Sequence, residues 1–141
     1  MKVRELMSQP VIRIGAEEPV AVAARTLTHY NIGALPVCDS GGRICGMVTD
    51  RDIVTRCLAS GKSPERTTVR EIMSSGVLSV TPETDASMAA AIMGKRRIRR
   101  LPVVEKDRLC GMLSLGDLAA EDGSCYDAAD ALAQITENII G

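Results

Sequence analysis

The chain has 141 residues, with 17 Lys and Arg against 18 Asp and Glu. This balance argues against the broad basic footprint of a duplex-DNA-binding protein. With no Trp, no Phe and two Tyr, it has almost no aromatic platform for single strands. No apolar run approaches the roughly 20 residues that cross a bilayer, and the first residues lack a signal peptide's apolar core. Five cysteines with no CxxC pair fit a reducing, cytoplasmic setting better than a disulfide framework.

In chain order, a short helical turn is expected over residues 3–7 and an apolar strand over 11–14. A helix then begins near Pro19, which suits the first helical position. Its apolar Val20, Ala23, Ala24, Leu27 and Tyr30 recur at helical spacing. Strands over 35–38 and 44–49 flank the turn-rich residues 39–43, and a second helix starts at Asp50. Residues 60–68 have the composition of a linker. The series then returns: a turn over 69–73, a strand over 77–80 and a helix carrying Ala86, Ala89, Ala90 and Met93. A strand pair with a shorter connection and a helix from Leu115 complete it. Residues 127–140 read as an added amphipathic helix with Ala128, Ala131, Leu132, Ile135 and Ile139 on one face.

The return is literal. VRELMS (3–8) reappears as VREIMS (69–74), IGALPV (32–37) as IRRLPV (98–103), and RICGMV (43–48) as RLCGML (108–113). Between 3–39 and 69–105, 13 of 37 aligned positions are identical. The duplication predicts repeat one over 1–62, repeat two over 67–122 and the extra helix over 127–140. Each repeat reads β-α-β-β-α, an α/β (α+β) class. A half of about 60 residues is marginal alone, so the two halves are expected to share one core about a pseudo-twofold axis, with a cleft between them.

Two features carry chemistry. Thr49-x-x-Asp52 and Ser114-x-x-Asp117 each end a strand and open a helix. Such a sequence caps a helix start. The same geometry suits a phosphate at the helix N-terminus, with the hydroxyl donating to it. An ionised Asp, which only accepts hydrogen bonds, matches a ribose diol. Both readings stay open on the residues alone. The second feature is Lys95-Arg96-Arg97-Ile98-Arg99-Arg100. The first three suit a solvated helix end, whereas Arg99 and Arg100 lie beyond it, where repeat one has Gly33 and Ala34. One strongly basic corner suits bidentate recognition of phosphate. Cys45 and Cys110 occupy equivalent places and read first as small buried hydrophobes, with thiol redox sensing or metal binding as the alternative. His29 is the only histidine, which excludes a His-rich zinc site.

LPV followed by G-h-h-[T/S]-x-x-D, twice and in this order, resembles the cystathionine-β-synthase (CBS) domain family, in its tandem Bateman form and over about residues 3–121. The resemblance implies a regulatory ligand site for AMP, ADP, ATP or S-adenosylmethionine between the repeats, with no required cofactor. It implies that Asp52 and Asp117 take ribose hydroxyls and that Thr49 and Ser114 face phosphate with Arg99 and Arg100. Backbone around Gly33, Ala34, Leu35 and Pro36, and around Arg99, Arg100, Leu101 and Pro102, would meet the adenine edge. Thr81 would touch ligand where repeat one has Gly15. It also implies a homodimer through the helices and an effector protein of unknown identity, with neither nucleic acid nor membrane as partner. No P-loop, GxSxG or metal-ligand set is present, so a non-catalytic module is expected. The alternatives are a structural interaction module without a nucleotide and a thiol or metal responder.

Overall fold

The computed structural model describes residues 1–121 and 125–137. The chain forms two compact units whose limits are not those of the sequence repeats. One is continuous, Ile12–Val77, and the other joins Met1–Val11 to Leu78–Gly141. We call them the continuous and the split unit.

In the continuous unit β1 (Ile14–Gly15) runs parallel to β2 (Ala34–Cys38), which pairs antiparallel with β3 (Ile44–Thr49). α1 (Val20–Tyr30) covers the sheet through Val20, Ala23 and Leu27, while Tyr30 in its last turn is half exposed rather than on the buried face. α2 (Asp50–Asp52) continues into a π-helical segment, Ile53–Leu58. In the split unit a 3₁₀ turn (Val3–Glu5) precedes the jump to Leu78. There α4 (Ala86–Arg96) packs beside the hairpin of β4 (Arg100–Glu105) and β5 (Arg108–Ser114), followed by α5 (Leu115–Ala119) and α6 (Cys125–Thr136). The remaining helix, α3 (Val69–Ile72), belongs to the continuous unit.

Each unit has its own core, so the expectation of a single shared core is overturned. Val3 lies in the core of the split unit with Val80, Met93, Leu101 and Leu113. Val69 and Ile72 lie in the core of the continuous unit with Val20, Leu35 and Val48. The leading turn of each repeat has been exchanged onto the sheet of the other and adds apolar surface to the core it joins.

The exchange follows the repeat offset bond for bond. The N–H of Val3 donates to Thr84 O (2.8 Å) and that of Arg4 to Pro82 O (3.0 Å); their equivalents Val69 and Arg70 donate to Glu18 O and Ala16 O, both at 2.9 Å. The exchanged segments also cap helices. Pro19 is the N-cap of α1 and not its first residue. Having no side-chain acceptor, it leaves the N–H of Val20 to Thr67 O at 2.8 Å and that of Ala21 to Pro64 O at 2.9 Å. In the split unit, Ala86 N–H donates to Met1 O at 2.8 Å. Pro64 and Thr67 of the linker therefore hold the start of α1, and Thr67 is buried.

The invariant Met of the VREhMS repeat explains a glycine in the other half. A Cβ on Gly111 would lie 2.5 Å from Met7 Sδ. One on Gly46 would lie 2.5 Å from Met73 Sδ and 2.8 Å from Ser74 O. These glycines serve close packing.

The strand expected over 77–80 reduces to a single parallel bridge, Val80 to Val103. That over 11–14 shortens to β1, because the preceding residues have already left the sheet. The shorter second hairpin turns on Lys106 and Asp107, both at positive φ. α6 buries Ala128 and Ala131 in the split core and also buries Ile135, whereas Leu132, expected on the same face, is exposed; Ile139 lies outside the described residues. Gly94 lets α6 approach α4, since a Cβ there would meet Gln134 and the Ala131 backbone. The chain is thus mixed α/β with a C-terminal helix.

Candidate functional site

Both Thr/Ser-x-x-Asp sequences form reciprocal capping boxes. Asp52 N–H donates to Thr49 Oγ1 at 3.0 Å, and Thr49 N–H donates to Asp52 Oδ2 at 3.0 Å. Asp117 N–H donates to Ser114 Oγ at 3.0 Å, and Ser114 N–H donates to Asp117 Oδ2 at 2.8 Å. The capping reading is therefore satisfied in full, and any ligand role must use what remains. What remains differs between the units. Asp52 is buried, and its second oxygen stands 3.7 Å from the Arg56 guanidinium. The second oxygen of Asp117 has no partner among the described residues, and the Ser114 hydroxyl keeps its own proton to donate.

The two helix starts also differ in charge. In the continuous unit the Asp50 carboxylate stands 3.6 Å from the point where Gly33 would carry a Cβ, and Asp50 N–H donates to Gly33 O. In the split unit the corresponding bond runs from Leu115 N–H to Arg99 O at 2.8 Å. An acid beside a glycine has become a leucine beside an arginine. Sequence reasoning passed over Asp50; aligning it with Leu115 carried the signal.

A concavity of about 580 Å³ opens in the split unit, within the rough 300–1,000 Å³ range of small-ligand sites. Arg99, Arg100 and Ser114 line it with Leu115 and Gly116, and α6 supplies the facing wall through Ala128, Ala129 and Leu132. Neither guanidinium has a carboxylate within salt-bridge distance among the described residues. The structure thus brings together three of the expected residues and adds α6, which the repeat analysis treated as an appendage.

The others lie elsewhere. Asp117 sits one turn into α5 and does not line the concavity. Leu35, Pro36, Leu101 and Pro102 are buried, and the carbonyls of Gly33, Arg99 and Pro102 already accept backbone hydrogen bonds. Ala34 is half-buried at the start of β2, opposite Thr49. Thr81 is exposed, with its hydroxyl in hydrogen-bond contact with that of Thr84 at 3.1 Å.

A second concavity of about 480 Å³ lies in the continuous unit among Glu17, Glu18, Asp39 and Arg70, and Arg70 is held by Glu17. It contains none of the expected site residues.

The thiols of Cys45 and Cys110 donate to Val37 O and Val103 O, each at 3.4 Å. Burial raises the pKa of Cys38, Cys45 and Cys110, outweighing nearby Arg13 and Arg70 at the first two. Raised thiols are poor nucleophiles and poor metal ligands at neutral pH. Among the described residues no three His, Cys, Asp or Glu gather where a metal ion would fit, and no helix is long and apolar enough to cross a membrane.

Comparison with known proteins agrees with this architecture. The family model for the CBS domain matches residues 3–59 and again 69–123. The CBS domain-containing protein YhcV of Bacillus subtilis is 36% identical over 138 residues, 98% of this chain and 97% of its own length. The crystal structure of Hypoxic Response Protein I with two coordinated zinc ions superposes with a TM-score of 0.79 at 33% identity, covering 84% of this chain and 97% of that one. The CBS domain pair of protein MJ0100, in complex with 5′-methylthioadenosine and S-adenosyl-L-methionine, gives 0.75 at 29% identity, with coverage of 84% and 93%.

Proposed function

This chain belongs to the CBS domain family, and we propose on that premise that it is a non-catalytic regulatory module that binds an adenosine-containing ligand. One observation carries the reading. Arg99 and Arg100, unpaired among the described residues, meet the Ser114 hydroxyl at a concavity of small-ligand size. Guanidinium groups are suited to phosphate by charge and by their forked geometry. Asp117 lies outside that lining, and its second carboxylate oxygen, which has no partner among the described residues, is the acceptor we assign to a sugar hydroxyl of the same ligand. The MJ0100 pair, which holds adenosine compounds in its crystal structure, supports the ligand class. Regulation is the role that fits a site lined by guanidinium groups, a capping hydroxyl and the small side chains of α6, Cys125 among them.

In this reading the module works in the cytoplasm as a homodimer and passes ligand occupancy to an effector protein. Exposed Val54, Leu58 and Met88 on its helices support pairing of two copies.

Calorimetric titration with AMP, ADP, ATP and S-adenosylmethionine tests the reading. Charge-assisted hydrogen bonds contribute about 1.5–3 kcal/mol each, so Arg100→Ala weakens nucleotide binding roughly ten- to hundredfold. No heat and no thermal shift with any of the four at millimolar concentration would leave a structural interaction module in its place.

A further inference from the structure

We infer that the concavity between the Arg99–Arg100 corner and α6 selects adenosine that carries phosphate over adenosine that carries a sulfonium, with α6 as the wall against which the uncharged part of the ligand rests. The inference rests on the function proposed above and narrows it to one ligand class and one place.

Charge decides the class. The concavity is lined by two guanidinium groups and, among the described residues, by no carboxylate. A sulfonium next to the ribose would bring a third positive charge into that corner, whereas a 5′-phosphate brings the opposite sign at the same distance. The continuous unit offers the reverse. Its equivalent corner has Gly33 and Ala34 in place of the arginines and the Asp50 carboxylate in place of Leu115, so the pair of guanidinium groups that would hold a phosphate is missing there.

Shape decides the place. Opposite the arginines the lining is Ala128, Ala129 and Leu132, one small or apolar side chain after another on one face of α6. Ala128 is buried into the core, whereas Ala129 and Leu132 face the opening. A wall of Ala129 and Leu132, with Cys125 beside them, leaves room for a flat apolar body and offers no charged group to orient an ionic one. α6 lies beyond the second matched repeat, so this wall is a feature of the chain's added helix.

The experiment is calorimetric titration of the full chain with four probes: AMP, ATP, uncharged 5′-methylthioadenosine and S-adenosylmethionine. AMP and ATP are expected to bind at least tenfold more tightly than S-adenosylmethionine, a difference of about 1.4 kcal/mol. The Arg99→Ala/Arg100→Ala double variant is expected to remove that preference. Ala129→Phe fills the concavity and should abolish AMP binding at an unchanged melting temperature. Leu132→Asp, at a site where no core packing is lost, should weaken AMP at least tenfold even if Ala129→Phe fails to fold. S-adenosylmethionine binding as tightly as AMP overturns the inference and leaves the adenosine module standing. So does wild-type AMP affinity in folded Ala129→Phe, or in Leu132→Asp. Silence from all four probes overturns both readings.

Discussion

Replacing Asp117 separates a helix cap from a ligand contact, because its two carboxylate oxygens have separate tasks. Oδ2 accepts Ser114 N–H at 2.8 Å, and the backbone N–H of Asp117 donates to Ser114 Oγ at 3.0 Å. Asp117→Ala removes the first bond and keeps the second. The loss should lower stability by about 1 kcal/mol, the usual cost of a missing cap, which is a fall in melting temperature of about 2–6 °C. A purely structural Asp117 does no more than that. If the second oxygen also accepts a ribose hydroxyl, AMP affinity falls as well, by about 1.5–3 kcal/mol or roughly ten- to hundredfold.

Asp117→Asn sharpens the comparison. Its amide oxygen can still accept from Ser114, so the melting temperature should hold. With the amide oxygen on Ser114, the amide nitrogen takes the place of the second oxygen and can only donate, so AMP affinity should fall about as far as in Asp117→Ala, roughly ten- to hundredfold, at an unchanged melting temperature. Calorimetry with AMP and a thermal melt on each variant give both numbers. Wild-type AMP affinity in both variants, with a lowered melting temperature only in Asp117→Ala, would refute a ligand role for this residue.

The exchanged turns make an unequal pair of glycine predictions. Gly46→Ala should cost about 1–3 kcal/mol as overpacking, since the new Cβ meets the Ser74 carbonyl at 2.8 Å as well as Met73 Sδ. Gly111→Ala should cost less, because it meets only side-chain atoms of Met7, a flexible thioether. Urea unfolding of the two variants decides it, and equal losses would count against the backbone contact as the cause. The buried thiols set an alkaline limit. Cys38, Cys45 and Cys110 have folded pKa values raised above the ordinary 9.0 by burial. Between that value and the raised ones the unfolded chain loses protons that the folded chain keeps. This contribution to stability is complete below about pH 9 and is lost as the pH rises through the folded values. The wild type should therefore lose melting temperature more steeply above about pH 9 than a Cys38→Ala/Cys45→Ala/Cys110→Ala variant, and parallel curves would remove the thiols from the account.

Much of this was legible in the sequence because it is local. The strand at Ile44–Thr49 and the helix starts at Asp50 and Leu115 follow from alternation and capping patterns that need only neighbouring residues. What sequence reasoning missed is long-range. Nothing within VRELMS says that its Val3 and Met7 pack on the sheet of the other repeat, at Val80 and Gly111. Only the close approach shows why a glycine precedes each Met47 and Met112. The strand over 77–80 likewise depends on a distant partner: it meets the free edge of β4 only at Val80, which bridges Val103. At the site, the arginines and the capping acids were visible as residue types. The burial of Leu101 and Pro102 and the wall made by α6 were not, since both depend on which side of an element faces the core.

The charge difference between the two units bears on how many ligands one chain takes. Duplication begins with two equal corners, and the capping geometry has stayed equal to within 0.2 Å in both boxes. The charges have not. One corner has Gly33, Ala34 and Asp50; the other has Arg99, Arg100 and Leu115. Capping needs only Thr or Ser and Asp, whichever ligand is bound, and it places no demand on the charge of the neighbouring positions. If the guanidinium pair sets the affinity for phosphate, only the split unit should bind a phosphorylated ligand tightly, and titration should give a stoichiometry of one AMP per chain. Two equivalent sites would mean that the arginines do not set the preference, and that the capping acids common to both units do.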